Sequence, residues 1–254
     1  MTRNLKWEEW QQYLENEPYN KTCSNLPLPA FSQLESDISI ELLKDINVNE
    51  KDEIGETVLL WAVKEGREDI IKWLVNKGAD INVTNKNGDT LLMLATNNYL
   101  ASSVQLFIDK GVDINARNKY GDTALIKSID YKKETVSEAE LMNVVKLLIK
   151  NGADINIIPK SKSKFAYTAL MEATNENYFK LVKFLLNNGA NVNLKNEAGM
   201  TALMIAAEEG YVNILQLLLE KGADVNIKNE SGETALNLAE ERKNEKVIEI
   251  LKRN

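Results

Sequence analysis

Between Asn196 and Lys228 the chain reads NEAGMTALMIAAEEGYVNILQLLLEKGADVNIK, and its apolar positions fall into two clusters at helical spacing. Leu203, Ile205, Ala206 and Ala207 follow Thr201 and predict a first helix. Gly210 interrupts the pattern, and Ile214, Leu215, Leu217, Leu218 and Leu219 predict a second, apolar helix that ends at Gly222. Glycine takes the left-handed conformation common just after a helix. Asn229 and Gly232 then supply a tight reversal. The predicted unit is hairpin, helix, turn, helix.

The same unit recurs. Thr57, Thr90, Thr123, Thr168, Thr201 and Thr234 are spaced 33, 33, 45, 33 and 33 residues apart. Asn82, Asn115, Asn156, Asn193 and Asn226 are spaced 33, 41, 37 and 33, which places an insertion of eight residues before Asn156 and one of four after it. A period of this length predicts stacked supersecondary units, each completed by its neighbours.

These residues resemble the ankyrin repeat. GADIN stands at Gly78–Asn82 and Gly152–Asn156, GVDIN at Gly111–Asn115, GANVN at Gly189–Asn193 and GADVN at Gly222–Asn226. The resemblance runs from about Glu53 to the C-terminus and implies an all-α solenoid of stacked helix-turn-helix units with β-hairpin-like fingers. The family often carries Pro-Leu-His after the threonine, where this chain has Val-Leu-Leu, Leu-Leu-Met, Ala-Leu-Ile or Ala-Leu-Met. Without that histidine's hydrogen bonds, the stack is expected to lean on apolar contact.

Residues 1–35 are read as an N-terminal extension, with Leu5, Trp7, Trp10, Tyr13 and Leu14 on a short amphipathic helix before a tract holding Pro18, Pro27 and Pro29. It either caps the first repeat or contacts a partner. Residues 36–254 form the array: a degenerate repeat over about 36–52, repeats over about 52–84, 85–117, 118–158 with an insertion, 159–195 and 196–228, and a charged cap at 229–254. Trp61 and Trp73 are expected in the core.

Composition removes chemistry. The chain has no histidine, so the usual general base, metal ligand and nucleophile activator are missing together. One cysteine, Cys23, excludes an internal disulfide and a thiolate zinc cluster. All twelve glycines sit at repeat positions and leave none for a phosphate-binding loop. Neighbouring acids such as Glu208 and Glu209 point in different directions on a helix and suit a solvated face better than a catalytic pair. No catalytic residue, cofactor or metal is expected. No apolar run long enough to span a membrane and no signal peptide is visible, which suggests the cytoplasm.

What remains is binding. The resemblance implies that hairpin tips and the exposed side of the first helix line a concave, partner-binding face. Those positions include Glu56 and Asp89 and, further along, Tyr120, Asp122, Asp130, Tyr131, Phe165, Tyr167, Glu176, Glu197, Met200, Glu208, Glu209, Glu230, Glu233 and Arg242. Tyr120, Tyr131, Phe165 and Tyr167 are either interface anchors or cover for the two insertions. From Asn196 to Glu241 there are nine acids and two bases, a local charge of −7 equal to that of the whole chain. Such a field repels nucleic acid and attracts a basic protein. Lys160, Lys162 and Lys164 make one basic finger, read as a solvated loop. A chain that is monomeric when free and neutralises a basic toxin, as an inhibitor or immunity protein does, fits these features. Its rivals are a secreted bacterial effector or scaffold binding host proteins and an enzyme with an acidic site.

Overall fold

The recurring threonine is a helix cap. In the computed structural model, which describes residues 47–52, 54–129, 138–160 and 166–254, Thr57, Thr90, Thr168, Thr201 and Thr234 each adopt extended backbone at a helix N-terminus. Each Oγ1 accepts a hydrogen bond from the amide three residues on, for example Met93 at 3.2 Å and Met204 at 3.3 Å. Ile126 donates likewise to Thr123 at 3.4 Å. One otherwise unsatisfied amide per helix is thereby paired, an interaction worth about 1 kcal/mol.

The chain divides into two compact units, Met1–Val112 and Asp113–Asn254. In the first, α1 (Val58–Lys64) packs on α2 (Glu68–Asn76) and on α3 (Leu91–Asn97), and α4 (Ala101–Asp109) packs on α2 and α3. The second unit holds α5 (Ala124–Ile129), α6 (Glu138–Lys150), α7 (Ala169–Asn175), α8 (Phe179–Asn187), α9 (Ala202–Glu209), α10 (Val212–Glu220), α11 (Ala235–Glu241) and α12 (Glu245–Leu251). There α5, α7, α9 and α11 pack in succession as a row of first helices, and α8, α10 and α12 as a row of second helices. Leu203, Leu215, Leu218, Leu181 and Leu185 lie buried between the rows. The N-terminal extension and most of the degenerate repeat lie outside the described residues.

Trp61 is buried as expected, 2% exposed. Trp73 corrects the expectation: it is half-buried beside the buried stripe Ile70, Ile71, Leu74 and Val75, and the Lys77 ammonium stands 5.7 Å above its ring.

The fingers hold their shape through one side chain. Five residues before the threonine, Asn85 Oδ1 accepts hydrogen bonds from the amides of Asn87 and Asp89, and Asn118, Asn196 and Asp52 repeat the arrangement. Such a side chain mimics a backbone turn. Strand character among the described residues is limited to single bridges, Lys51 to Thr57 and Thr84 to Thr90.

Apolar contact is not the whole of the stacking. Asn115 Nδ2 donates to the Gly152 carbonyl at 3.1 Å while its Oδ1 accepts from the Asp154 amide at 2.8 Å. Asn156 bridges in the same way to Gly189 and Asn191, Asn193 to Gly222 and Asp224, and Asn49 to Gly78 and Asp80. At Asn115, Asn156 and Asn193 the second sequence marker is therefore a ladder that stitches a repeat to the next. Asn49, eight residues before Thr57, extends it to the edge of the described residues.

The turn between paired helices needs a left-handed residue nine positions after the threonine. Gly66 and Gly210 supply φ of 71° and 75°, but Tyr99, Asn177 and Lys243 carry φ of 55°, 57° and 60° at the equivalent place. A side chain there costs about 1–2 kcal/mol of backbone energy, partly offset by the greater freedom glycine loses on folding. Lys243→Gly is therefore expected to raise stability by up to about 1 kcal/mol. The denaturant midpoint reads this directly, and a lower midpoint would contradict the assignment.

Candidate partner-binding surface

Three of the sequence-predicted residues stand at finger tips. Tyr120 is 50% exposed, and Glu197 and Glu230 are exposed. The Asn118 turn positions Tyr120 by accepting its amide at 2.9 Å. Neighbouring fingers support one another: the Glu230 amide donates to the Ala198 carbonyl at 3.0 Å. Gly199 makes that approach possible, because its φ is 75° and a Cβ there would come within 2.9 Å of the Asn229 Cα.

The residue just before the threonine behaves differently from the expectation. Glu56, Asp89 and Met200 are buried, at 6%, 6% and 7% exposure, and Asp122 and Glu233 are half-buried. Their side chains turn back into the finger stem. Asp89 accepts from Asn85 Nδ2 at 2.9 Å, Asp122 from Asn118 Nδ2 at 3.3 Å and Glu233 from Asn229 Nδ2 at 3.0 Å, while Glu56 pairs with Lys64. Met200 is a correction to the predicted contact set. It fills the stem, where its sulfur lies 3.8 Å from Asn229 Nδ2, and with no carboxylate at this place the buried Asn196 Nδ2 is left without an acceptor.

The ends of the first helices gather the remaining predicted groups. Glu176 is half-buried and accepts from Asn175 Nδ2 at 3.1 Å. Glu209 is exposed, and Glu208 is partly covered by Arg242, whose Nη2 donates to Glu208 Oε1 at 2.6 Å across one repeat. Glu208 beside it raises the Arg242 guanidinium pKa further, with lesser contributions from Glu209 and Glu241. Asn244 Nδ2 fixes the end of α9 by donating to the carbonyls of Ala207 and Glu208.

Tyr167 joins this group from the preceding finger. It is half-buried, and burial first, then the charges of Glu172, Glu208 and Glu209, push its phenol pKa above the usual 10.0. The folded state thus holds this proton more tightly than the unfolded chain. The associated stability is present below the unfolded pKa and lost as pH rises through the folded one. Absorbance titration of the protein against Tyr167→Phe should show one tyrosine ionising above 10, and replacing Glu208 and Glu209 by Gln should bring it part of the way back. A difference between the two titrations centred at 10 would contradict the placement.

Arg242, a face position from the sequence, completes this surface together with Glu172, which the predicted set did not contain. Glu172 was missed because it stands four residues after the capping Thr168, within α7, whereas the face positions were taken from finger tips and the far ends of the first helices. Asp130, Tyr131 and Phe165 lie outside the described residues, as do Lys162 and Lys164. No group of three or more Asp, Glu or Cys side chains suited to a metal ion occurs among the described residues, and no helix there is long and apolar enough to cross a membrane.

With two helix rows, capped fingers and an asparagine ladder in place, the family follows. The family "Ankyrin repeats (3 copies)" matches residues 11–85, 77–159, 136–229 and 170–254, and the chain belongs to it. No curated protein matches the chain. A chain from the complex of the predatory endopeptidase Bd0816 of Bdellovibrio bacteriovorus with immunity protein Bd3460 is similar at 29% identity and a TM-score of 0.66, covering 81% of this chain and 100% of its own. The ankyrin repeat domain of Bcl-3, a member of the IkappaB protein family, is similar at 29% identity and a TM-score of 0.69, covering 84% of this chain and 90% of its own. Ankyrin repeats mediate protein–protein interaction.

Proposed function

We propose that the protein is a noncatalytic inhibitor of the immunity type, which grips a basic protein through the fingers and first-helix ends of its Asp113–Asn254 unit. The observation that carries this reading is the convergence of Tyr167, Glu172, Glu208 and Glu209, flanked by exposed Glu197 and Glu230. A half-buried aromatic ring beside carboxylates offers a cationic side chain both area and charge. Arg242 already docks one guanidinium on Glu208 and so displays the geometry such a contact takes. The likeness to a chain from an endopeptidase–immunity protein complex supports the inhibitory role. Tyr131 and Phe165 are proposed as further anchors.

The test is capture of bound proteins from the native cell, identification by mass spectrometry, and expression of the captured protein alone or with this chain. The reading expects a basic protein that harms the cell alone and is tolerated in the presence of the chain. A harmless or acidic captured protein would overturn it.

A further inference from the structure

The same groove is built twice on the second helices, with opposite chemistry. In the first unit it runs between α2 and α4 and is lined by Glu68, Asp69, Lys72 and Asp109 among others. Glu68 has a structural task there: its Oε1 accepts from the Ser103 amide at 3.2 Å and lies 3.3 Å from the Ser103 hydroxyl, tying two repeats together. In the second unit the groove runs between α8 and α10 and is lined by Phe179, Lys183, Gln216, Leu217, Glu220 and Lys221 among others.

Repeat register makes the comparison exact by position. Eleven residues after the threonine stand Glu68 in one groove and Phe179 in the other, followed on their helices by Asp69 and Lys180. Acids at a helix N-terminus complement its dipole, and a lysine there opposes it. Nor does the core account for the aromatic: α8 buries Leu181, Val182, Leu185 and Leu186, while Phe179 is 40% exposed. Local stability therefore favours the residues of the first groove over those of the second. Among the residues lining the groove, Lys183 and Lys221 outnumber the one acid, Glu220, on a chain of net charge −7. Lys221 is held over the groove by its hydrogen bond to Asn187 Oδ1 at 2.9 Å.

We infer that the groove between α8 and α10 is a second docking site, which takes an acidic segment of a partner protein with an apolar side chain seated on Phe179 and Leu217 and flanking carboxylates on Lys183 and Lys221. Charge complementarity selects the occupant: the cationic rim opposes the sign of the finger surface, so the two sites of this unit accept opposite partners. A chain able to hold a basic protein on one row of helices and an acidic segment on the other is an adaptor as well as an inhibitor. The inference stands on the second-helix row alone and does not depend on the basic-partner reading.

The test is titration of the isotopically labelled full chain with three synthetic peptides, Glu-Glu-Trp-Glu-Glu, Glu-Glu-Gly-Glu-Glu and Lys-Lys-Trp-Lys-Lys, followed by NMR. The acidic tryptophan peptide is expected to shift signals at Phe179, Lys183, Gln216 and Lys221 and to leave the α2–α4 groove unmoved. Phe179→Ser should weaken it about tenfold or more, and Lys183→Glu with Lys221→Glu should abolish it, with unchanged melting of these surface variants. The glycine peptide should bind at least as weakly as the tryptophan peptide does to Phe179→Ser. Absence of shifts, shifts spread over both grooves, or equal binding by the variants would overturn the site. Groove shifts that grow with protein concentration without peptide would assign it instead to a second copy of the chain. The basic peptide reports on the finger surface, so its failure counts only against the other proposal.

Discussion

Leu215→Ala is expected to cost roughly 2–5 kcal/mol of stability, the range for removing most of a fully buried leucine from a packed core. Leu215 is 0% exposed in α10, a helix that packs on α8, α9 and α12. Asn193→Ala should cost about 1 kcal/mol or somewhat more, because it removes two hydrogen bonds at an exposed edge where water takes over part of the pairing. Gln216→Ala, one residue along but exposed, should change stability by less than about 0.5 kcal/mol. Denaturant unfolding of the three variants ranks core, ladder and surface. If Leu215→Ala melts with Gln216→Ala, the inter-row packing described for α10 is wrong.

Replacing Glu197, Glu208, Glu209 and Glu230 together by Gln is expected to slow association with the basic partner about tenfold or more at low salt and to change dissociation little. These carboxylates act over distance, and their influence is screened over about 8 Å at physiological ionic strength. Arg242 sharpens the expectation. It neutralises part of the field through Glu208, so Arg242→Gln should speed association where loss of the acids slows it. Tyr120→Ala should act in the other rate, hastening dissociation by an amount worth about 2 kcal/mol, because an aromatic anchor is desolvated only in the complex. Surface plasmon resonance at two salt concentrations separates the effects. Equal rates for all variants would remove the acidic surface from the account.

The period was legible in the chain because it is a local rule repeated: a capping threonine, a turn glycine and a closing asparagine each satisfy backbone groups wherever they occur. The ladder was less legible. Asn156 was visible as a marker, but its task is to bond Gly189 and Asn191 in the next repeat, a contact that appears only once two repeats are stacked. The finger stem explains the clearest miss. The resemblance placed Glu56, Asp89 and Met200 on the finger face, whereas all three are buried, with Glu56 and Asp89 pairing inside the finger stem. Arg242 was legible as a face position, but its pairing with Glu208 was not, because that depends on the register between α9 and α11.

Hydrogen–deuterium exchange of the full chain with and without its captured basic partner tests the central claim most directly. The account predicts slowed exchange in the fingers around Tyr120, Glu197 and Glu230 and at the ends of α7 and α9, with α8 and α10 unchanged. Protection confined to α8 and α10, with the fingers exchanging as in the free chain, would contradict it.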